Sequence, residues 1–286
     1  MPSTIKVHRA AITSVLKHLH PRMTESVLLG DLISRIELER PRGTRELPKF
    51  DLDLVLRQFL KPPFTDRNGS DADIPLLTMA HKVTFLLALA TGARSSEIHA
   101  LSRAPGRFAI HADNTGKQTM TIHTKPGFLA KNAKPTLVSP PMVIPSLKHL
   151  VGRKEPERLL CPVRATQVYI RRTPDGPYPA GDSRVLRHPK PTMSTGKNHV
   201  ALWIRSAIST AYNAAAEKPD KVHVNAHEVR AVAHSLVAYN GASLEEILRG
   251  GRWAASGSFF NHYLRDMSHS TMARTTPIVA GGVIIN

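Results

Sequence analysis

The chain has 286 residues, enough for one large domain or two smaller ones, and its single cysteine, Cys161, excludes intramolecular disulfides and cysteine-based zinc fingers. It contains no apolar run of the roughly 20 residues that a membrane helix needs and no secretory signal, so we expect an intracellular protein. Its 39 Lys and Arg exceed its 22 Asp and Glu, and the charge of +17 favours a polyanionic partner, nucleic acid before membrane.

The first 48 residues predict a small helical segment followed by a linker. Two amphipathic helices are expected, the first ending at Pro21 and the second over residues 24–39, because apolar side chains recur at helical spacing. Residues 40–48, RPRGTRELP, combine two prolines, a glycine and mixed charges, which is typical of an extended linker. The predicted small domain, linker and larger domain span residues 1–40, 41–48 and 49–286.

The larger domain is predicted to be mainly helical, an α+β fold with one small antiparallel sheet. Alternating apolar residues on both sides of the turn 113–116 predict a β-hairpin within residues 107–124, and a third short strand is expected near Leu137 and Val138. Gly92 suits the C-terminal end of a helix. The helices predicted from apolar periodicity span residues 51–60, 76–91, 95–101, 163–172, 197–217, 226–239, 243–249 and 256–265.

The first pattern that suggests chemistry is TGARSSEI. An apolar helix ends at Gly92, so Arg94 stands at the start of the next helix. There the guanidinium fork and free backbone N–H groups can bind a phosphate together. Taken alone, an arginine at a helix start is more often an ordinary surface residue.

The second pattern is NAHEVR. Asn225 and Glu228 have the spacing of a capping box at a helix start. His227 and Arg230 are three residues apart and share one face of the first helical turn. A histidine can transfer a proton there and an arginine can grip phosphate. His234 lies on the same stripe and is interpreted as a packing or surface histidine.

The C-terminal region contributes a tryptophan and a tyrosine. Ser243 and Glu246 predict a second capping box, which supports a helix before the two glycines of RGGRW. Trp253 is interpreted as a core anchor that could also donate its indole N–H to a phosphate oxygen. Tyr263 has helical spacing from Phe259, so simple core packing is the alternative to a chemical role.

Together, TGARSSEI, HEVR and GRWAASGSFFNHY resemble the tyrosine recombinase family, the phage integrases and their relatives, in order and in spacing. HEVRAVAHSLVAYNGASLEEIL and WAASGSFFNHYLRD are most similar to recombinases of DIRS-type retroelements, with HPKP and LWIRSAI in support. The resemblance covers residues 50–267 and, more weakly, STIKVHRAAI near the start. It implies a helical recombinase catalytic domain with a small sheet, preceded by an incomplete version of the family's helical DNA-binding domain.

The resemblance implies that Tyr263 attacks a DNA backbone phosphate and leaves a 3′-phosphotyrosyl link and a free 5′-hydroxyl. A phenol has a pKa of about 10 and needs a partner that takes its proton, and His227 is the candidate. Arg94 and Arg230 would stabilise charge on the non-bridging oxygens, a task suited to fixed cations. Trp253 would stand where many relatives carry a histidine and would donate one N–H.

The leaving 5′-oxygen needs a proton as well, which relatives supply from a lysine on a β-hairpin. Lys125 is the predicted donor and Lys131 is the alternative. Glu97 is expected to hold the arginines or a neighbour in place, without proton transfer. Because two arginines would do the work of a metal, the resemblance implies neither a cofactor nor a metal.

The predicted function is therefore that of a site-specific recombinase or integrase of a mobile element, which acts on duplex DNA as a homotetramer in the nucleus. The alternative is a catalytically inactive DNA-binding remnant. A type IB topoisomerase shares this chemistry and differs by relaxing supercoils without site preference. A plain nucleic-acid-binding scaffold would not need the Tyr263 hydroxyl.

Overall fold

The computed structural model describes residues 8, 11–12, 47–130, 140–147, 158–215, 224–251, 253 and 256–267. The chain divides into two compact units, residues 1–46 and 47–286, and the elements given below belong to the second unit. The predicted N-terminal helices, the predicted strand near Leu137 and Val138, and Lys131 lie outside the described residues. The predicted domain boundaries stay a prediction.

The described part of the second unit contains eight helices and one small sheet, which confirms the predicted α+β class. The helices are α1 Leu52–Gln58, α2 Leu76–Thr91, α3 Ser95–His99, α4 Pro162–Arg172, α5 Lys197–Ala214, α6 Ala226–Tyr239, α7 Leu244–Gly251 and α8 Ser256–His262. Helices α2 and α6 begin and end where periodicity predicts, whereas α8 ends before its predicted limit, so Tyr263 follows the helix. Among the described residues, no helix is long and apolar enough to cross a membrane.

Helix α2 is central because it is apolar on most of its circumference. Its buried side chains include Met79, Phe85 and Leu89, and it contacts α4, α5 and α6. Gly92 ends the helix with a left-handed backbone (φ 56°), and its N–H donates to Ala88 O at 2.9 Å. The chain therefore turns sharply at a fixed point and delivers the next residues to the start of α3.

The three strands are antiparallel and pair in the order β1 Phe108–Ala112, β2 Gln118–Ile122 and β3 Met142–Pro145. The predicted hairpin is confirmed. Its turn is closed by Asp113, whose Oδ1 accepts from the backbone N–H groups of Thr115 and Lys117, each at 2.9 Å. After β2, the Lys125 N–H donates to Ala100 O at 2.7 Å, which ties the end of the hairpin to the end of α3.

A buried ion network fastens the loop after α1 to α2. The side chains of Lys82 and Asp71 have no exposed surface, and Nζ and Oδ2 are 3.1 Å apart. Nζ of Lys82 also donates to the carbonyls of Phe59 at 3.2 Å and Phe64 at 3.3 Å. Nη1 of Arg164, on α4, lies 2.6 Å from the other carboxylate oxygen of Asp71. Burial lowers the pKa of Lys82 to about 8, and pairing with Asp71 opposes this change.

Lys82→Met is expected to lower the free energy of unfolding by about 3–5 kcal/mol, because it leaves a buried carboxylate and two carbonyls short of a donor. Chemical denaturation of the DNA-free protein measures this loss. Lys61→Met, at an exposed position in the same loop, is the control and is expected to change stability little. A loss no larger than that of the control would show that the network does not stabilise the fold.

Candidate active site

Arg94 stands at the N-terminus of α3, directly after the turn that ends α2. Its backbone N–H donates to Oε2 of Glu97 at 2.7 Å, and its Nη1 lies 3.7 Å from Oε1 of the same carboxylate. The side chain is 10% exposed, and Nη1 has no hydrogen-bond partner among the described residues. Arg94 is therefore a cation that Glu97 orients and that keeps one donor available.

Arg230 brings distant segments together. It lies in α6 with 2% of its surface exposed, and its guanidinium donates to the carbonyls of Gly92 and Gly251. Its Nη1 lies 3.9 Å from Oε2 of Glu97. The Glu97 carboxylate is 1% exposed and lies within ion-pair distance of both arginines, as expected. Burial, and then repulsion from Arg94, lowers the pKa of Arg230 to about 10, so the guanidinium stays charged near neutral pH.

Trp253 and Tyr263 complete the cluster from the C-terminal segments. The Trp253 ring centroid lies 4.8 Å from Cζ of Arg230 and 5.0 Å from the Tyr263 ring centroid, and the Tyr263 ring is 5.4 Å from the same Cζ. Tyr263 is half-buried, and its N–H donates to Phe259 O at 2.9 Å. The phenol opposes the fall in the pKa of Arg230 because it lies beside the guanidinium. Aromatic packing and a chemical role for Tyr263 are therefore compatible.

Three buried donors in this cluster have no hydrogen-bond partner among the described residues: Nη1 of Arg94, Nε of Arg230 and Nε1 of Trp253. Buried polar groups are normally paired, because leaving one unpaired costs about 1–3 kcal/mol. The three donors come from three separate segments: Arg230 and Trp253 lie beside the Tyr263 ring, and Arg94 shares the Glu97 carboxylate with Arg230. Such a set suits an anion with several acceptor oxygens, and a phosphate group offers an acceptor for each donor.

Two glycines allow the cluster to pack this closely. A Cβ on Gly92 would lie 2.1 Å from Cε1 of His234, and a Cβ on Gly251 would lie 2.2 Å from Cε3 of Trp253. The sequence indicated Gly92 only as a helix end and Gly251 only as one of two glycines after a predicted helix. Their role in close packing was missed, although Gly92 stands two residues before Arg94 and Gly251 two residues before Trp253.

The sequence predicted His234 as either a packing or a surface histidine, and the structure shows that it is a packing residue. It is 2% exposed, its ring centroid is 4.5 Å from that of Trp253, and its Nδ1 lies 2.8 Å from Arg230 O. Burial and the charge of Arg230 lower the pKa of His234 to about 3. The ring therefore stays neutral and adds no third positive charge beside the two arginines.

Gly251→Ala is expected to displace the Trp253 ring, because the added Cβ would lie 2.2 Å from one of its carbons. We expect a changed tryptophan emission spectrum and a free energy of unfolding lowered by about 1–3 kcal/mol, as for other overpacked sites. Fluorescence and denaturation measure both effects. Gly176→Ala is the control, since nothing lies within 4 Å of its Cβ. Equal emission and stability in the two variants would contradict this packing.

The other two predicted site residues have exposed side chains. His227 lies in the first turn of α6, one turn before Arg230. Lys125 follows β2, and its charge adds to the lowering of the pKa of His99, whose main cause is burial. The roles of His227 and Lys125 in proton transfer stay predictions. Within the described ranges, no three His, Cys, Asp or Glu side chains form a group that could hold a metal ion.

One of the two predicted capping boxes is wrong. The Asn225 side chain makes no capping hydrogen bond, and the Glu228 carboxylate instead binds Arg265, with Oε1 to Nε at 2.8 Å and Oε2 to Nη2 at 3.1 Å. A bidentate ion pair between two buried side chains is stronger than a bond to one amide. The second box is confirmed, since Ser243 and Glu246 exchange bonds of 2.8 and 3.2 Å.

No protein-family model matches the sequence, and no curated protein sequence matches it. Among solved structures, the chain is similar to the crystal structure of XerA recombinase. The two chains are 13% identical, the alignment covers 96% of this chain and 81% of that chain, and the TM-score is 0.43. The functional assignment therefore depends on the geometry of the cluster and on its chemistry.

Proposed function

We propose that this chain breaks and rejoins duplex DNA as a tyrosine recombinase, through a covalent 3′-phosphotyrosyl bond at Tyr263. The observation that carries the proposal is a set of three buried donors without hydrogen-bond partners among the described residues, on Arg94, Arg230 and Trp253. Arg230 and Trp253 lie beside the Tyr263 ring, and Arg94 shares the Glu97 carboxylate with Arg230. Donors placed where charge develops are the main requirement for phosphoryl transfer without a metal. The net charge of +17 supports a polyanionic substrate.

In the proposed reaction the Tyr263 oxygen attacks phosphorus and the bond from phosphorus to the 5′-oxygen breaks. His227 takes the proton that the phenol loses, and Lys125 gives the proton that the leaving 5′-oxygen gains. Arg94 and Arg230 stabilise the charge that grows on the non-bridging oxygens. Rejoining reverses each step, with a 5′-hydroxyl as the nucleophile and the phenol as the leaving group.

We further propose that the protein acts in mobile-element integration, as a homotetramer assembled on DNA in the nucleus. The support for this proposal is the resemblance of HEVRAVAHSLVAYNGASLEEIL and WAASGSFFNHYLRD to recombinases of DIRS-type retroelements. Analytical ultracentrifugation of the protein with its cleaved duplex tests the tetramer. Four protein chains per complex is the expected result, and a single chain per duplex at saturation would contradict it.

A covalent trapping assay without divalent metal tests the proposed function. A pool of duplexes with nicks at varied positions loses the short rejoining strand after attack, so the adduct accumulates. We expect a protein–DNA band that survives denaturation, with the nucleotide located on Tyr263 by peptide mass spectrometry. Salt-sensitive DNA binding without an adduct would instead identify a DNA-binding remnant, and supercoil relaxation without site preference would identify a topoisomerase.

A further inference from the structure

The chain segment that carries Tyr263 is fastened to α6 by two separate contacts. Oγ of Ser235, which is 1% exposed, accepts from the Arg265 N–H at 2.8 Å, and its single proton is shared between Ala231 O at 2.8 Å and Tyr263 O at 3.0 Å. The Glu228 carboxylate holds the Arg265 side chain through two hydrogen bonds, of 2.8 and 3.1 Å. The backbone of Tyr263 and both the backbone and the side chain of Arg265 are thus bound to one helix.

These two contacts are made by the helix that carries Arg230. Glu228 and Ser235 are seven residues apart on α6, about two turns, so they share one face of the helix, and Arg230 lies between them in the sequence. The side chains of Arg265 and Glu228 are only 9% and 5% exposed, and a bidentate pair out of water has a narrow range of geometries. A single rigid element therefore carries the arginine and both anchors of the tyrosine segment.

We propose that Ser235 and the Glu228–Arg265 ion pair are positioning residues, which fix the distance between the Tyr263 phenol and the phosphate held by the arginines. This inference rests on the proposed function. Tyr263 follows the last residue of α8, so helical hydrogen bonds alone hold it less firmly than a residue in mid-helix. A displacement of about 1 Å in a reacting group can slow a reaction by about 100-fold.

Two variants test the anchors separately, Glu228→Gln and Ser235→Ala. Neither removes a positive charge, so a lost phosphate contact would not explain slower cleavage. The matched controls are Glu245→Gln and Ser209→Ala, both at exposed helical positions. Three quantities are measured for each variant well below its melting temperature. They are the single-turnover rate of adduct formation at saturating DNA, the DNA affinity, and the amide hydrogen exchange of the peptide spanning residues 263–267.

We expect each anchor variant to form the adduct about 10–100-fold more slowly, with unchanged DNA affinity and faster amide exchange in this peptide. Faster exchange with wild-type cleavage would overturn the proposal, because the contacts would exist without positioning the nucleophile. Parallel losses of cleavage and DNA affinity would overturn it too, by indicating a purely structural role. If the wild type and both controls form no adduct, the proposed function itself fails, and that result is distinguishable from a failure of the anchors alone.

Discussion

Tyr263→Phe is expected to abolish the covalent DNA adduct, a loss of more than about 10⁴-fold, and to leave DNA affinity unchanged. The substitution removes one oxygen, which is the atom that would bond to phosphorus. The ring that remains can keep its place 5.0 Å from the Trp253 ring and 5.4 Å from Cζ of Arg230. Single-turnover trapping on the nicked duplex pool measures the adduct, and a filter-binding or fluorescence titration measures affinity.

Tyr239→Phe is the matched control, because Tyr239 is 47% exposed at the C-terminal end of α6. It is expected to form the adduct at the wild-type rate. An adduct that survives in Tyr263→Phe and maps to another residue would contradict the assignment of the nucleophile. Reduced DNA affinity in Tyr263→Phe would instead show that the hydroxyl takes part in binding.

Arg94→Ala and Arg230→Ala are expected to slow cleavage alike and to differ in stability. Each removes a cation that would stabilise the transition state, so adduct formation falls by about 10²–10³-fold in either variant. Trapping at saturating DNA measures the rate, and denaturation of the DNA-free protein measures stability. The difference in stability follows from what each guanidinium contacts inside the protein.

Arg230→Ala leaves the carbonyls of Gly92 and Gly251 without their donor and removes a cation from buried Glu97, so we expect a loss of about 3–5 kcal/mol. Arg94→Ala also removes a cation from Glu97, but it leaves no carbonyl without a donor and removes a like charge that disfavours the charged form of Arg230. These effects oppose each other, so its free energy of unfolding is expected to change less than that of Arg230→Ala.

Arg57→Ala, at an exposed position in α1, is a control for the loss of one positive charge from the chain. It is expected to retain both cleavage and stability. If Arg94→Ala unfolded as easily as Arg230→Ala, Arg94 would be a structural residue. Normal cleavage in a folded Arg94→Ala variant would remove it from the proposed phosphate site.

The helices, the hairpin and the candidate residues could be predicted from the sequence because each depends on local information. The apolar run over residues 76–91 defines α2 by itself, and alternation around residues 113–116 defines the hairpin. Arg94, Arg230 and Tyr263 were selected because the motifs that contain them resemble the tyrosine recombinase family in order and spacing, whereas each motif alone also had an ordinary interpretation. No partner from a distant segment was needed for these predictions.

Only the tertiary structure decided which side chains meet and which donors remain unpaired. Arg230 and Gly92 are 138 residues apart, and their hydrogen bond exists because α6 packs against α2. Glu228 shows the same effect: local spacing predicted a cap, but Arg265, 37 residues later, binds its carboxylate. The sequence by itself thus determined the elements and the candidate residues. Packing determined the site, because burial and hydrogen-bond partners depend on contacts between segments far apart in the chain.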